Sequence, residues 1–234
     1  MERIISTIDF AKVPSAERIA EMLDRANVRY SVKKLPSGSL IGWDDEPQLY
    51  ACFLAEGHIE IFVISKDGRK KVVDELVDRG FFGFQVIREG CHPHATAQAI
   101  SDSTIITIPK DSFYQALHRC DDFADLVVWY LYELLHAKTQ EVAAQAFYSV
   151  HQRVALFLLE VMGNGPCTEE GREVNAPVKE IHLGNSRIAD ILGASRNSVT
   201  SSLSLLQKQG AIAKGRNSIV ILRADILRSI VGTS

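Results

Sequence analysis

Short apolar runs that alternate with polar residues fill the chain between Val28 and Pro109. Gly, Pro and Asp separate these runs, which contain the branched and aromatic residues that favour strands. The clearest pair of runs surrounds Asp67-Gly68, a dipeptide suited to a tight hairpin turn. Strands are predicted over SVKKL, YACFLA, HIEIFVI, KKVVDELV, HATAQAI and TIITI. Strands at such regular spacing predict a β-roll, jelly roll or barrel.

Helical periodicity flanks this region on both sides. A short amphipathic helix is predicted over Pro14–Ala26, and a second helix opens at Pro109. A longer helix, capped by Asp121 or Asp122, is predicted to continue to Phe147, before a further helix in HQRVALFLLEVMG. The apolar stripe of the longer helix is wide, so we expect it to pack on the roll and to keep a face for a second subunit. The stripe consists of Phe123, Leu126, Val127, Tyr130, Leu131, Leu134, Leu135, Val142 and Ala146.

Two more helices are predicted in RIADILGASRNSVTSSLSLLQKQG, around a corner at Gly193. Ser195 is placed to cap the second of them, because its hydroxyl can accept a hydrogen bond from an amide of the first turn. One side of this second helix is apolar, with Val199, Leu203 and Leu206 at helical spacing. The opposite side carries short hydrogen-bonding groups and a lysine: Asn197, Thr200, Ser201, Ser204 and Lys208.

A helix of this kind suits the major groove of DNA. Short side chains let the backbone come close, and hydroxyls and amides can contact phosphates and base edges. The next segment, AIAKGRNSIVIL, predicts two strands around Gly215 and hence a wing with a basic tip. The alternative is a winged helix that makes protein contacts, for which no salt-sensitive DNA binding is expected. The predicted contacts to double-stranded DNA are Asn185, Ser186, Ser195, Arg196, Asn197, Ser198, Thr200, Ser201, Ser204, Lys208, Lys214 and Arg216.

The charge distribution favours a nucleic-acid partner at one end of the chain. The 234 residues carry a formal charge of −3. From Asn185 to Ser234, seven Lys and Arg and two Asp give +5, which leaves −8 for the remainder. A basic module on an acidic body is typical of a protein that binds nucleic acid by one end.

Composition favours a cytoplasmic protein. Apolar residues make up 46% of the chain, enough for a substantial core. The first residues lack the basic and then apolar pattern of a signal sequence, and no apolar run is long enough to span a bilayer. The four cysteines show no C-x-x-C spacing and are expected as buried or free thiols. The expected location is therefore the cytoplasm, with no membrane partner.

The sequence resembles the CRP/FNR family of bacterial transcription regulators over nearly its whole length. FLAEGHIEIFVISKDGRKKVVDELVDRGFFG is similar to the family's β-roll hairpins, and HATAQAISDSTIITIPKDSFYQAL to its closing strands and next helix. NSRIADILGASRNSVTSSLSLLQKQGAIAKGRNSIVIL, the most specific part, is similar to its winged helix-turn-helix. The resemblance implies an α+β fold: an effector-sensing β-roll domain at 1–120, a dimerisation helix at 121–147 and a DNA-binding domain at 148–234. It also implies homodimers on near-palindromic operators, with RNA polymerase as a further partner.

The roll departs from the cyclic-nucleotide-binding members of that family. Those members carry Gly-Glu after the hairpins and then an Arg-Ser pair, and these groups hold the ribose and the phosphate. The matching residues here are Gly83-Phe84-Gln85 and Pro93-His94-Ala95, so cyclic AMP is not expected as the effector. The N-terminal cysteine cluster of the iron–sulfur members is absent before Cys52.

The second helix of the DNA-binding motif departs from the family as well. Many members read DNA with a Glu and an Arg four residues apart, where this chain has Asn197 and Ser201. Asn pairs with adenine where Glu pairs with cytosine. We therefore do not expect the family's usual TGTGA or TTGAT half-site.

An aromatic and apolar wall takes the place of the charge-binding groups in the roll. We expect an unidentified small-molecule effector there, and we assign no cofactor or metal. The alternative is that these aromatic side chains are simply core. A redox signal through Cys52, Cys91 or Cys120 is a further hypothesis. The expected effector contacts are Phe82, Gly83, Phe84, Gln85, His94, Trp129 and Tyr130.

An enzymatic activity is not expected. The strongest alternative is a cupin-like metal site, because His92 and His94 lie on one face of a predicted strand. A cupin-like pattern needs a carboxylate a few residues on, and residues 95–98 offer none. A serine hydrolase of the G-x-S-x-G type lacks its motif. The sequence therefore predicts a regulator rather than a catalyst.

Overall fold

The computed structural model describes residues 12–41, 50–87, 95–162, 180–215 and 217–232. The chain divides into two compact units, one with Arg3–Ile64 and Val73–Lys138 and the other with Ser65–Val72 and Thr139–Ser234. The helices are α1 (Ala16–Arg25), α2 (Lys110–Arg119), α3 (Asp121–Phe147), α4 (Val150–Val161), α5 (Asn185–Leu192), α6 (Arg196–Lys208) and α7 (Ala224–Gly232). The strands are β1 (Ser31–Leu35), β2 (Leu40–Ile41), β3 (Tyr50–Glu56), β4 (His58–Ile64), β5 (Lys70–Val77), β6 (Gly80–Phe82), β7 (Thr96–Ala99), β8 (Ser103–Pro109), β9 (Glu180–Ile181), β10 (Ile212–Lys214) and β11 (Ile219–Ile221).

The β-roll consists of two four-stranded sheets with the orders β1-β8-β3-β6 and β2-β7-β4-β5. Pairing is antiparallel, with Ile59 opposite Ala99 and Phe53 opposite Ile106. Residues from both sheets meet in one buried cluster, formed by Cys52, Leu54, Ile59, Leu76, Phe82, Ala99 and Ile105. The predicted mixed fold with an N-terminal β-roll is therefore confirmed.

The first sheet buries its other face against helices. Because successive strand residues point to opposite faces, Phe53 leaves the cluster between the sheets and packs with α1, α2 and α3. The rings of Phe53 and Phe81 meet edge-on with centroids 4.8 Å apart. Phe81 also contacts Tyr130 of α3, at 5.4 Å between centroids. This sheet is covered on both sides, which gives the roll its larger core.

The first half of strand β4 is buried on both faces, although it contains the polar residues His58 and Glu60. Glu60 is fully buried and His58 is 4% exposed. The Nε2 atom of His58 lies 2.7 Å from Oε1 of Glu75, so the two side chains satisfy part of each other's hydrogen-bonding needs inside the protein. Alternation alone does not distinguish an exposed face from a covered one.

The start of α3 differs from the predicted cap. Asp121 and Asp122 lie inside the first turn, and the amides of Phe123 and Ala124 donate to the carbonyl of Cys120. Asp122 instead accepts a hydrogen bond from Arg25 at 2.7 Å, which holds the pKa of the Asp122 carboxyl below its ordinary value. The cap prediction was wrong. The negative charges still suit the positive end of the helix dipole.

Helix α3 keeps an exposed apolar seam along its length. Val128, Tyr132, Leu135 and Val142 have exposed fractions between 63% and 67%. With Thr139, also exposed, they are spaced alternately by four and three residues, which places them on one stripe of the helix. No helix in the described parts of the chain combines the length and apolar character needed to cross a membrane.

The second unit packs around α4. Ser149 and Gln152 form a capping box at the start of α4. Ser149 Oγ accepts a hydrogen bond from the backbone N–H of Gln152, and Gln152 Oε1 accepts one from the backbone N–H of Ser149. Val154 and Leu158 are fully buried, and α4 contacts α6 and α7. Strands β10, β11 and β9 form a three-stranded antiparallel sheet. Helix α7 and the short strands β2 and β6 were not predicted.

A matched pair of glycine substitutions should separate backbone strain from steric overlap. Gly83 and Gly68 both have φ +79°, but a Cβ on Gly83 would lie 2.7 Å from the Tyr50 carbonyl oxygen, whereas nothing lies within 4 Å of one on Gly68. We expect Gly83→Ala to lower the free energy of unfolding by about 1–3 kcal/mol more than Gly68→Ala, because only Gly83 would also overlap backbone. Denaturant unfolding measures both losses, and equal losses would contradict the close approach.

Candidate nucleic-acid interface

Helices α5 and α6 form the predicted pair around a sharp corner. Gly193 ends α5 with φ +60°, a left-handed conformation that glycine adopts without strain. Ser195 then caps α6, since its Oγ accepts a hydrogen bond from the Ser198 amide at 3.1 Å. The chain turns within the three residues between the helices, so the direction of α6 is fixed close to Gly193.

Helix α6 buries its apolar stripe and leaves the opposite side open. Val199, Leu203 and Leu206 are fully buried, and α6 contacts α5 and α4. The predicted division of α6 into two faces is confirmed for these residues. Of the predicted DNA contacts on α6, the exposed ones are Arg196, Asn197, Ser201 and Lys208, and the half-buried ones are Ser198, Thr200 and Ser204.

Several of the predicted DNA contacts form hydrogen bonds within the protein itself. Thr200 Oγ1 donates to the Arg196 carbonyl at 2.8 Å, and Ser204 Oγ donates to the Thr200 carbonyl at 2.9 Å. Asn185 Nδ2 of α5 donates to Thr200 Oγ1 at 2.9 Å. The last of these bonds joins α5 to α6, so Asn185 and Thr200 hold the two helices together in this conformation.

A groove of about 310 Å³ opens where α5, α6 and the wing meet. Gly184 precedes α5 and provides no side-chain cap for the amides of its first turn. Arg196 and Lys214 add positive charge to the same groove. The N-terminus of a helix together with two cations is an arrangement that binds a phosphate. The lining residues are Leu183, Gly184, Asn185, Ser186, Arg196, Lys214, Gly215, Asn217, Ser218 and Ile219.

The wing turns tightly between β10 and β11. The Gly215 amide donates to the Ser218 carbonyl at 2.9 Å, and Asn217 has φ +61°. Asn tolerates this conformation better than most residues. Lys214 ends β10 and faces the groove, whereas Arg216, the other predicted tip residue, lies outside the described residues. Asn217 was not predicted as a groove residue, although Gly-x-Asn between two apolar runs signals the turn.

The expected effector contacts fall into two separate clusters. Phe82 lies between the sheets, whereas Phe84, Trp129 and Tyr130 pack with the helix-side core. The rings of Phe84 and Tyr130 are 6.0 Å apart, inside a continuous aromatic core. Gly83 makes the turn after β6, Gln85 lies in a 3-10 helix at Phe84–Ile87, and His94 lies outside the described residues.

Metal-binding residues do not cluster in the described parts of the chain. No group of three or more His, Cys, Asp or Glu there is arranged to hold a metal ion. His92 and His94, the pair that suggested a cupin-like site, lie outside the described residues. The candidate interface is therefore built from hydrogen-bonding side chains, backbone amides and cations.

The thiols that the structure describes are buried. Cys52 and Cys120 are 5% and 6% exposed. Burial raises the pKa of the Cys52 thiol to about 12, so this thiol is protonated at neutral pH. Cys91 and Cys167 lie outside the described residues.

The helix cap predicts a stability change with an internal control. We expect Ser195→Ala to lower the free energy of unfolding by about 1 kcal/mol, because the Ser198 amide loses its acceptor. Ser195→Asp keeps an acceptor and should stay close to the parent. Ser201→Ala, at an exposed position within the same helix, should be neutral or slightly stabilising. Thermal unfolding measures all three, and a loss at Ser201 equal to that at Ser195 would contradict the cap.

Burial of Cys52 predicts slow alkylation. We expect iodoacetamide at neutral pH to leave Cys52 unmodified in the folded protein and to label it after unfolding in guanidinium, since only the exposed thiolate reacts. Peptide mass spectrometry reports the site. Rapid labelling of Cys52 in the folded protein would revive the hypothesis that it senses redox state.

Two family models match separate regions of the chain. Residues 32–120 match the family model of the cyclic nucleotide-binding domain, and residues 152–230 match that of the Crp-like helix-turn-helix domain. The Cyclic AMP receptor protein of Thermus thermophilus is 20% identical over 212 residues, which cover 90% of this chain and 92% of that protein. The cAMP-activated global transcriptional regulator Vfr of Pseudomonas aeruginosa is 24% identical over 173 residues, with 72% and 78% covered.

Solved structures share the fold at low identity. FixK2 from Bradyrhizobium japonicum matches with a TM-score of 0.66 and 20% identity, covering 88% of this chain and 100% of that one. A CooA mutant from Carboxydothermus hydrogenoformans matches with a TM-score of 0.72 and 16% identity, covering 94% and 96%. A CRP/FNR-family transcriptional regulator from Thermus thermophilus gives 0.68 and 18%, covering 87% and 99%.

Proposed function

We propose that this chain, which belongs to the CRP/FNR family of transcription regulators, works as a homodimer that reads a near-palindromic operator and responds to a small molecule or redox signal in its roll. The chain is a DNA-binding regulator with an effector-binding domain of the cyclic nucleotide-binding type. The observation that carries the proposal is the exposed polar face of α6 beside a cationic groove.

Base recognition would come from the first turns of α6. Arg196 and Asn197 are exposed at its N-terminus, the end that such helices bring to base edges. Arg suits guanine and Asn suits adenine, each through two hydrogen bonds. Ser201 lies one turn further on and is also exposed. Because the hydroxyls of Thr200 and Ser204 bond to the backbone, Arg196 and Asn197 are the stronger candidates for specificity.

Backbone contacts would come from the groove. The amides at Asn185 and Ser186 open α5 without a side-chain cap, and Lys214 stands beside them. A phosphate held there would set the register of α6 along the DNA without reading sequence.

Dimer formation would come from the seam on α3. Positions spaced by four and three residues are those that face a partner in a coiled coil, and here they are apolar from Val128 to Val142 apart from Thr139. A second copy of α3 is the occupant that matches this seam, because its seam is identical. A two-fold dimer presents two α6 helices to successive major grooves. RNA polymerase is a further expected partner of the DNA-bound dimer.

The effector proposal rests on the roll. The relatives named above include a Cyclic AMP receptor protein and a cAMP-activated regulator, but the stretch that matches the family's phosphate-binding Arg-Ser pair reads Pro93-His94-Ala95. We therefore propose a small molecule other than cyclic AMP. It would act by preferring one of two dimer conformations, which shifts their populations.

Arg196 provides the sharpest test of base contact. We expect Arg196→Ala to weaken binding to an operator selected from a random DNA pool by about 1–3 kcal/mol, because a bidentate contact to a base is lost. Arg228→Ala, an exposed arginine on α7, is the matched control and should leave the affinity unchanged. Fluorescence anisotropy measures both. If Arg196→Ala and Arg228→Ala change the affinity for DNA equally, the N-terminus of α6 does not enter the major groove of DNA.

Salt dependence separates DNA reading from protein binding. A reader that neutralises several phosphates loses affinity steeply as salt rises, whereas a protein-contact module shows no such DNA binding. We expect Lys214→Gln to reduce the slope of log Kd against log salt concentration by about 1, which corresponds to the loss of one phosphate contact. An unchanged slope would remove Lys214 from the phosphate contacts.

The seam predicts the oligomeric state. We expect Val128→Glu to weaken the dimer by at least tenfold in Kd, because a charge would enter the apolar contact between two α3 helices. Gln140→Glu, which introduces the same charge at an exposed position outside the seam, is the control and should keep the dimer. Sedimentation equilibrium measures both, and a Val128→Glu dimer of unchanged strength would place the interface elsewhere.

A further inference from the structure

We propose that Lys71 is a positioning residue for the corner between α5 and α6, an inference that rests on the proposed function. Lys71 lies in β5 within Ser65–Val72, which belongs to the same compact unit as the two helices. Its Nζ donates to the Ile191 carbonyl of α5 at 2.6 Å. The same Nζ forms an ion pair with Oε1 of Glu141 at 2.6 Å.

The contact satisfies a carbonyl that the helix leaves open. The last carbonyls of an α-helix have no partner within it. At the end of α5, the amides of Gly193 and Ala194 both donate to Ala189, which leaves the later carbonyls to other groups. Lys71 Nζ donates a hydrogen bond to the carbonyl of Ile191, and Arg153 Nη1 donates one to the carbonyl of Leu192 at 2.9 Å. Two cations at this end also suit the negative pole of the helix dipole.

The stem of Lys71 covers the corner itself. A Cβ on Gly193 would lie 3.0 Å from Cδ of Lys71, so the side chain passes directly over this glycine. Glu141 holds the ammonium group, and the two side chains are only 22% and 26% exposed. Polar contacts and packing together therefore set one position for Lys71, which is stricter than an open surface ion pair would give.

Position at the corner matters because α6 starts only three residues after Gly193. Gly193 sets the direction in which the chain leaves α5, and Ser195 caps α6, whose first residue is Arg196. A looser corner lets α6 tilt. Base contacts need exact geometry and are weakened by such a tilt, whereas phosphate contacts tolerate a small displacement. Lys71 would thus support sequence specificity from a hairpin that carries no expected DNA contact.

The test compares three variants of the full chain. Lys71→Met keeps the stem over Gly193 but removes the ammonium group. Lys71→Arg restores a cationic donor. Lys66→Met makes the same change at an exposed lysine of the same segment and is the control. Thermal unfolding confirms that each variant is folded. Glu141→Gln, which removes the negative charge paired with Lys71, replaces Lys71→Met if that variant fails to fold.

Amide hydrogen exchange at Gly193 and Ala194 is the first measurement, and it needs no DNA. We expect exchange about fivefold faster or more in Lys71→Met, near the parent rate in Lys71→Arg, and unchanged in Lys66→Met. Unchanged exchange in Lys71→Met overturns the proposal. Because this measurement is made on the free protein, it decides the role of Lys71 even if the chain binds no duplex and the proposed function fails.

The ratio of operator affinity to affinity for a scrambled duplex is the second measurement. We expect Lys71→Met to lower this ratio about three- to tenfold and Lys71→Arg to restore most of it. Faster exchange with an unchanged ratio would make Lys71 a local support for α5 and overturn its role in DNA reading.

Discussion

The burial of one apolar stripe of α6 is the interaction on which the interface depends. Val199, Leu203 and Leu206 are all removed from water, and α6 contacts both α5 and α4. Burying three such side chains contributes several kcal/mol, on the order of 1.5–3 each. Once this stripe faces inward, the helical period leaves Asn197, Ser201 and Lys208 on the side away from the core. The polar face is thus a consequence of packing.

Local backbone features then decide where this face points. Gly193 provides the left-handed residue that turns the chain, and Ser195 stops the turn by capping α6. Lys71 and Arg153 complete the end of α5 from outside the motif. The Asn185–Thr200 hydrogen bond links the two helices on the other side of the corner. A short motif therefore draws its rigidity from residues far away in sequence.

Sequence periodicity predicts those parts of the fold in which one residue pattern has one physical outcome. The bounds of β1, β4 and β5, the Ser195 cap and the two faces of α6 are of this kind. The covered outer face of β4 and the lysine at the end of α5 depend on contacts between distant segments, so no local pattern shows them. The inward hydroxyl of Thr200 depends on a choice of rotamer and partner that composition leaves open. β2 has only two residues, too few to show a period.

Selection of bound duplexes from a random DNA pool, read by sequencing, tests the central claim most directly. At low salt, where phosphate contacts are strongest, a dimeric reader should enrich a palindrome whose half-site centres are about 10 bp apart. We expect adenine or guanine at positions within each half-site that Asn197 and Arg196 would contact. A pool that stays random under these conditions would contradict the account, because an exposed α6 held by this packing would then have no sequence to read.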